Sequence, residues 1–214
     1  MTTETTLIER IRRALPSRDA ARRRRLRLGI GDDAAVLRLS GKPEWAITCD
    51  MFLENVHFLA NVYPPDAVGY KALARATSDL AAMGAVPRYF LLSLALPSHR
   101  TAHWLDGMLA GMSRAARRFG LVLAGGDTSQ NATVALSITV LGEARRGRAV
   151  TRAGARPGDL IYVSGRLGAA QLGLELILRG LYKERQWRPL FQPQFSPPLR
   201  LELGDWLVKP QRGA

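Results

Sequence analysis

Cysteine, acidic residues and long apolar runs are all scarce in this chain of 214 residues. The single cysteine, Cys49, excludes an intramolecular disulfide and fits a reducing compartment, so a cytoplasmic location is expected. No apolar run approaches the ~20 residues that span a bilayer. Glu4 and Glu9 interrupt the stretch where a secretory signal would be apolar. No membrane partner is therefore expected. Acid is outnumbered, with 18 Asp+Glu against 31 Lys+Arg and a net charge of +13. Such a balance invites a nucleic-acid reading. Yet the densest basic run, Arg22-Arg23-Arg24-Arg25, has no interleaved aromatic residues on which bases would stack. Zinc-finger and RNP-type patterns are missing too. The run reads as solvated surface, and no nucleic-acid partner is expected. Net positive charge also attracts anionic nucleotides.

Hydrophobic residues make up 47% of the chain, enough for a sizeable core. Leu7, Ile8, Ile11 and Leu15 have helical spacing, and a basic connector follows. Short strands are expected over 35–39 and 45–49, either side of Gly41-Lys42-Pro43. Pro64-Pro65-Asp66 opens a helix that runs to about Met83 and ends at Gly84, with Asp66 the expected N-cap. Tyr89–Leu96 reads as a strand and Thr101–Phe119 as a helix closed by Gly120. Leu121–Ala124 is a short buried strand leading into Gly125-Gly126-Asp127. Thr133–Leu141 alternates as a half-buried strand does. The pattern restarts after about residue 150, which divides the chain into 1–150 and 151–214. In the second unit a strand is expected over Leu160–Val163, a turn at Gly165-Arg166-Leu167-Gly168 and a helix over Ala169–Leu178. That turn lacks the Gly-Lys-Ser/Thr ending of a Walker loop. Gln192–Pro198 reads as proline-rich loop. One strand is too little to close a sheet.

Five aspartates stand among small or apolar neighbours: Asp32, Asp33, Asp50, Asp79 and Asp127. Gly31-Asp32-Asp33 is turn chemistry or a ligand pair. Asp50 closes its expected strand, either as a simple stop or where α/β ligands gather. Asp79 lies late in an apolar helix, near the buried stripe, where an unpaired carboxylate is costly and a cation would relieve it. Asp127 follows two glycines that let backbone amides approach a phosphate. Together these suit Mg²⁺ held with substrate phosphates, the setting of metal-assisted phosphoryl transfer. His57 fits a loop at such a site, although a lone histidine is more often structural. Arg152 has small neighbours and suits phosphate contact or plain surface. Cys49 reads as a small buried residue, since nothing near it in sequence would activate a thiol.

The motifs Gly29-Ile30-Gly31-Asp32-Asp33-Ala34-Ala35, Asn55-Val56-His57-Phe58, Lys71-Ala72-Leu73-Ala74, Ser78-Asp79-Leu80-Ala81-Ala82-Met83-Gly84-Ala85, Gly125-Gly126-Asp127-Thr128 and Thr151-Arg152-Ala153-Gly154 resemble thiamine-monophosphate kinase. That family belongs with aminoimidazole ribonucleotide synthetase and selenophosphate synthetase. The resemblance implies an α/β (α+β) N-terminal domain with a mixed sheet flanked by helices, dimerising through its sheet, then an α+β C-terminal domain. It implies ATP-dependent phosphorylation of thiamine phosphate to thiamine diphosphate, with ATP as co-substrate and several Mg²⁺ ions. Its metal ligands fall on Asp33, Thr48, Asp50, Asp79 and Asp127. Its nucleotide contacts fall on Gly126, Asp127 and Arg152, and its substrate contact on His57. Asp32 is only adjacent to a ligand. Two departures stand out. The family has Ser or Thr where this chain has Cys49. The family's proline–arginine helix start resembles Pro197-Pro198-Leu199-Arg200, but the acidic segment that should follow is absent, so an incomplete C-terminal domain is expected. A catalytically inactive Mg-nucleotide-binding or dimerisation module, or another synthetase of the superfamily, are the alternatives.

Overall fold

The computed structural model describes residues 25–28, 32–39 and 43–209. The helix expected over 6–15 and Arg22–Arg24 lie outside the described residues. Six strands form one sheet: β1 Leu26–Leu28, β2 Ala35–Leu37, β3 Glu44–Leu53, β4 Val86–Leu96, β5 Val122–Gln130 and β6 Ala135–Ala144, in the order β1-β2-β3-β6-β4-β5. Every pairing is antiparallel except β4 with β5, which are joined by a helical crossover. The helices are α1 Pro65–Ala82, α2 His103–Phe119, α3 Ala169–Leu178, α4 Arg188–Phe195 and α5 Leu201–Val208. The sheet is thus mixed, as expected, and it is open. No described helix is long and apolar enough to cross a membrane.

The core lies on one face of the sheet. Alternation puts Ala46, Thr48 and Phe52 of β3 and Leu136, Ile138 and Val140 of β6 on that face, where α1 covers them. The same parity leaves Cys49 and Met51 on the opposite, partly exposed face, which Leu91 and Tyr89 of β4 share across the intervening β6. Cys49 is therefore exposed, contrary to expectation, because it is out of phase with Thr48 and Asp50. Helix α2 packs on α1, and close backbone approach at Gly69 and Gly111 leaves no room for a side chain at either position. Helices α4 and α5 pack back onto α1 as well.

Several boundaries differ from the sequence reading. β3 continues to Leu53 because β6 pairs with it along all ten residues, so Asp50 lies inside a strand rather than at its end. Pro64, not Asp66, caps α1, and Asp66 pairs instead with Arg114 of α2 at 2.9 Å. β5 runs through Gly125-Gly126-Asp127 on the edge of the sheet, and it is exposed along its length. Parallel pairing with β4 carries the chain past the glycines. Gln192–Phe195 belongs to α4, with Pro193 inside the helix. Leu160–Val163 forms no strand and is exposed, with Ile161 at 95% accessibility; among the described residues after 150 no strand offers it a ladder.

Candidate functional site

Helix α1 and strand β3 build the centre of the site. Asp79 stands on α1 and Thr48 on the buried face of β3, and the Thr48 hydroxyl donates to Asp79 Oδ2 at 2.6 Å. Two residues along the same strand face, Asp50 pairs with Arg75 Nε at 3.3 Å. Arg75 and Asp79 are four residues apart and share one side of the helix. Burial is the largest influence on the half-buried Asp79 carboxyl and raises its pKa; the Thr48 bond opposes this, while Asp50 and Asp33 raise it further. These acids therefore sense one another's charge.

Asp33 follows the turn made by Asp32, whose Oδ1 accepts the Asp33 N–H at 2.9 Å. Asp33 takes both Nε, at 2.9 Å, and a terminal nitrogen of Arg152. The Arg152 backbone N–H points at Asp32 Oδ2, 3.4 Å away. Hydrogen bonding to Asp33 is the first cause raising the pKa of the exposed Arg152 guanidinium. Four carboxylates thus face two guanidinium groups, leaving a net negative charge of two.

His57 follows a tight turn after β3 in which Asn55 adopts a left-handed φ of 64°, a conformation asparagine tolerates better than most residues. The turn returns His57 N–H to Leu53 carbonyl at 2.9 Å. His57 Nδ1 accepts the Leu53 N–H at 2.9 Å, and its ring stacks on Phe52 at 5.6 Å. Nε2 therefore carries the proton and faces outward from that bond. Burial, then Arg75, lowers the His57 pKa.

Five of the expected residues, Asp33, Thr48, Asp50, Asp79 and Arg152, come together at this end of β3. Gly126 and Asp127 do not join them. They lie on β5, three strand spacings from β3, or roughly 14 Å across the sheet. By register Asp127 shares the open face with Ser93, Ser137 and Met51. Its Oδ2 lies 3.5 Å from the Ser129 hydroxyl. An apolar groove of about 440 Å³ runs beside it, between Leu92 and Leu94 of β4 and Leu105 and Leu109 of α2.

The donor chemistry fits Mg²⁺, being all oxygen. The geometry is not a closed cage: among the described residues no group of three or more His, Cys, Asp or Glu stands ready to hold a metal ion. With two guanidinium groups holding Asp33 and Asp50, there is a physical reason for that openness. Sequence reasoning missed Arg75 and Lys71. The signal was available, since Lys71, Arg75 and Asp79 recur every four residues.

Residues 31–144 match the family described as AIR synthase related protein, N-terminal domain. The chain belongs to that family. It is 40% identical over 152 residues to the thiamine-monophosphate kinase of Bacillus subtilis (strain 168), covering 71% of this chain and 47% of that protein. It is 41% identical over 150 residues to the thiamine-monophosphate kinase of Escherichia coli (strain K12), covering 70% of this chain and 45% of that one. The chain thus spans about half the length of the curated relatives it matches. Among solved structures, AaThiL complexed with AMPPCP and TMP aligns with a TM-score of 0.84 at 33% identity, over 96% of this chain and 62% of that one. Thiamine-monophosphate kinase from Stenotrophomonas maltophilia K279a aligns with a TM-score of 0.73 at 35% identity, over 96% and 65%.

Proposed function

We propose that this chain works in the ATP-dependent phosphorylation of thiamine phosphate to thiamine diphosphate. The observation that carries this reading is the oxygen cluster of Thr48, Asp50 and Asp79, joined by Asp33, in a chain 40% identical over 152 residues to the Bacillus subtilis thiamine-monophosphate kinase. In the reaction a phosphate oxygen of thiamine phosphate attacks the γ-phosphorus of ATP. The new P–O bond forms as the bond to the β–γ bridging oxygen breaks, and ADP leaves. The attacking oxygen is already ionised, so no general base is needed, and positioning and charge neutralisation dominate.

Mg²⁺, when bound, neutralises charge between the two polyanions. Of the several ions, Asp33, Thr48, Asp50 and Asp79 would hold those at the β3–α1 end, and Asp127, beside Gly126, a separate one at the β5 end. Arg152 is suited to nucleotide phosphate, and His57 Nε2–H to the acceptor. The exposed apolar side chains Met51, Tyr89 and Leu91 support homodimerisation through the open sheet face. A division of the chain near residue 150 and a cytoplasmic location belong to the same proposal.

The test is thiamine diphosphate formation by the purified chain with ATP, Mg²⁺ and thiamine phosphate. Product in amounts that scale with enzyme is expected. Mg²⁺-dependent AMPPCP binding without product, under conditions where the Escherichia coli relative is active, would favour the binding-module reading.

A further inference from the structure

A second cavity, of about 250 Å³, lies beside the carboxylate cluster. Lys71, Arg75 and Ser78 of α1 form one wall and Pro197, Pro198 and Leu199 the other. The spacing of four and three residues places the three polar side chains on one side of the helix. Arg75 links the cavity to the cluster through its pair with Asp50.

Lys71 is the unusual member. Its stem is largely removed from water, yet among the described residues its ammonium makes no ion pair. Its ammonium lies over the face of the Tyr63 ring, 5.2 Å from the centroid. Tyr63 is fixed by edge packing against Phe195 and by the Gln194 side-chain amide, which donates to its hydroxyl at 2.7 Å. A desolvated cation without an anion is costly. Burial and the neighbouring Arg75 accordingly pull its pKa down to about 8. Holding such a group against a cavity, with a guanidinium four residues on, makes a place for an anion. Ser78 now donates to the Arg75 carbonyl at 2.7 Å, and rotation of its hydroxyl would add a third donor.

We infer that Lys71 and Arg75 form a binding subsite for a phosphate monoester, at the edge of the carboxylate cluster and roofed by Pro197–Leu199. Given the function proposed above, on which this assignment rests, the monoester is that of the acceptor. Burial first, and then the charges of Arg75 and Lys71, lower the His57 pKa, so the imidazole is within electrostatic reach of both cations. The positive groups would set the acceptor phosphate beside the acidic groups without entering the metal ligand set.

The test uses the 214-residue chain and calorimetric titration with four ligands: thiamine phosphate, thiamine, inorganic phosphate and AMPPCP. Lys71→Met keeps the stem on Tyr63 and removes the charge. It is expected to weaken thiamine phosphate and inorganic phosphate about ten- to a hundred-fold, the worth of one charge-assisted hydrogen bond. Thiamine and AMPPCP should change less than twofold, and Lys71→Arg should restore most of the loss. An AMPPCP loss as large as that for thiamine phosphate would move the subsite to the nucleotide and overturn the acceptor assignment. Unchanged thiamine phosphate affinity in Lys71→Met, with wild-type binding intact, would overturn the subsite and leave the kinase reading standing. Lys71-dependent binding of inorganic phosphate alone would keep the subsite and remove the thiamine reading. A wild-type chain that binds no phosphate would overturn the subsite.

Discussion

Asp79→Asn tests the charge balance of the site directly. The substitution keeps the shape, and the Asn oxygen still accepts the Thr48 hydroxyl that now bonds Asp79 at 2.6 Å. It removes a carboxylate whose pKa is raised first by burial, against the Thr48 bond, and further by Asp50 and Asp33. A raised carboxyl pKa favours folding below the ordinary value of 3.8, and the benefit is lost as pH rises through the raised value. At pH 7 the ionised Asp79 therefore opposes folding unless a cation meets it. Without Mg²⁺, Asp79→Asn should raise the melting temperature at pH 7, and the gain should vanish near pH 3. With Mg²⁺–AMPPCP at a hundred times its Kd, the wild type should gain about 2.7 kcal/mol. At roughly 2–4 °C per kcal/mol for a chain of this size, that is about 5–10 °C. The variant should gain only a small part of this, so the two proteins exchange rank when the ligand is added. Thermal denaturation followed by circular dichroism reads both arms. A variant that melts lower than wild type without metal, or that keeps the full ligand shift, would refute the assignment of Asp79 as a buried ligand.

Other consequences are equally open to measurement. Glu44 is 1% exposed and bonds Arg27 at 2.5 Å, Arg38 at 2.8 Å and the Gly147 N–H at 3.1 Å. Glu44→Ala should cost about 3 kcal/mol, the lower end for a buried pair, since Arg38 stays half in water; a urea midpoint unchanged from wild type would contradict this. Burial tends to raise the Glu44 pKa, but Arg38, Gly147 and Arg27 prevail and lower it. Its contribution should hold above pH 4.5 and fade as pH drops through the depressed value. His57 should titrate below 6.5, with Nε2 protonated in the neutral ring; a long-range ¹H–¹⁵N spectrum showing the Nδ1–H tautomer at pH 7 would exclude the Leu53 bond. Gly111→Val should force α2 off the Asp66 backbone and cost several degrees in melting temperature.

Much of the fold was legible because its signals are local. The alternation of Val134, Leu136, Ile138 and Val140 marks the buried face of β6, and Gly120 closes α2 in a left-handed conformation. What stayed hidden depends on pairing. β1 is three residues long and preceded by a run of arginines, so only its partner β2 reveals it. The glycines of β5 read as a loop until β4 supplies a ladder. The site divides in the same way. Each acidic residue could be picked out by its small neighbours, whereas the separation of Asp127 from the others is a matter of strand order. The four-residue spacing of Arg75 from Lys71 and Asp79 is local, but its partner Asp50 comes only with the approach of β3.

The arrangement of α1 connects these points. Lys71, Arg75 and Asp79 lie on one stripe, and at 1.5 Å per residue the first and last are about 12 Å apart along the axis. One end of the stripe is cationic without an ion pair among the described residues, and the other is acidic and crowded. A single helix therefore sets a phosphate-seeking group and a cation-seeking group at a fixed distance. That distance is preserved only if α1 does not tilt. The backbone contacts at Gly69 and Gly111 hold it against α2, and Thr48 and Asp50 hold it against β3. Small residues at the α1–α2 crossing thus matter to the chemistry through the spacing they enforce. Loosening that crossing should weaken phosphate and Mg²⁺–nucleotide binding together, whereas changing Lys71 or Asp79 should affect one and spare the other.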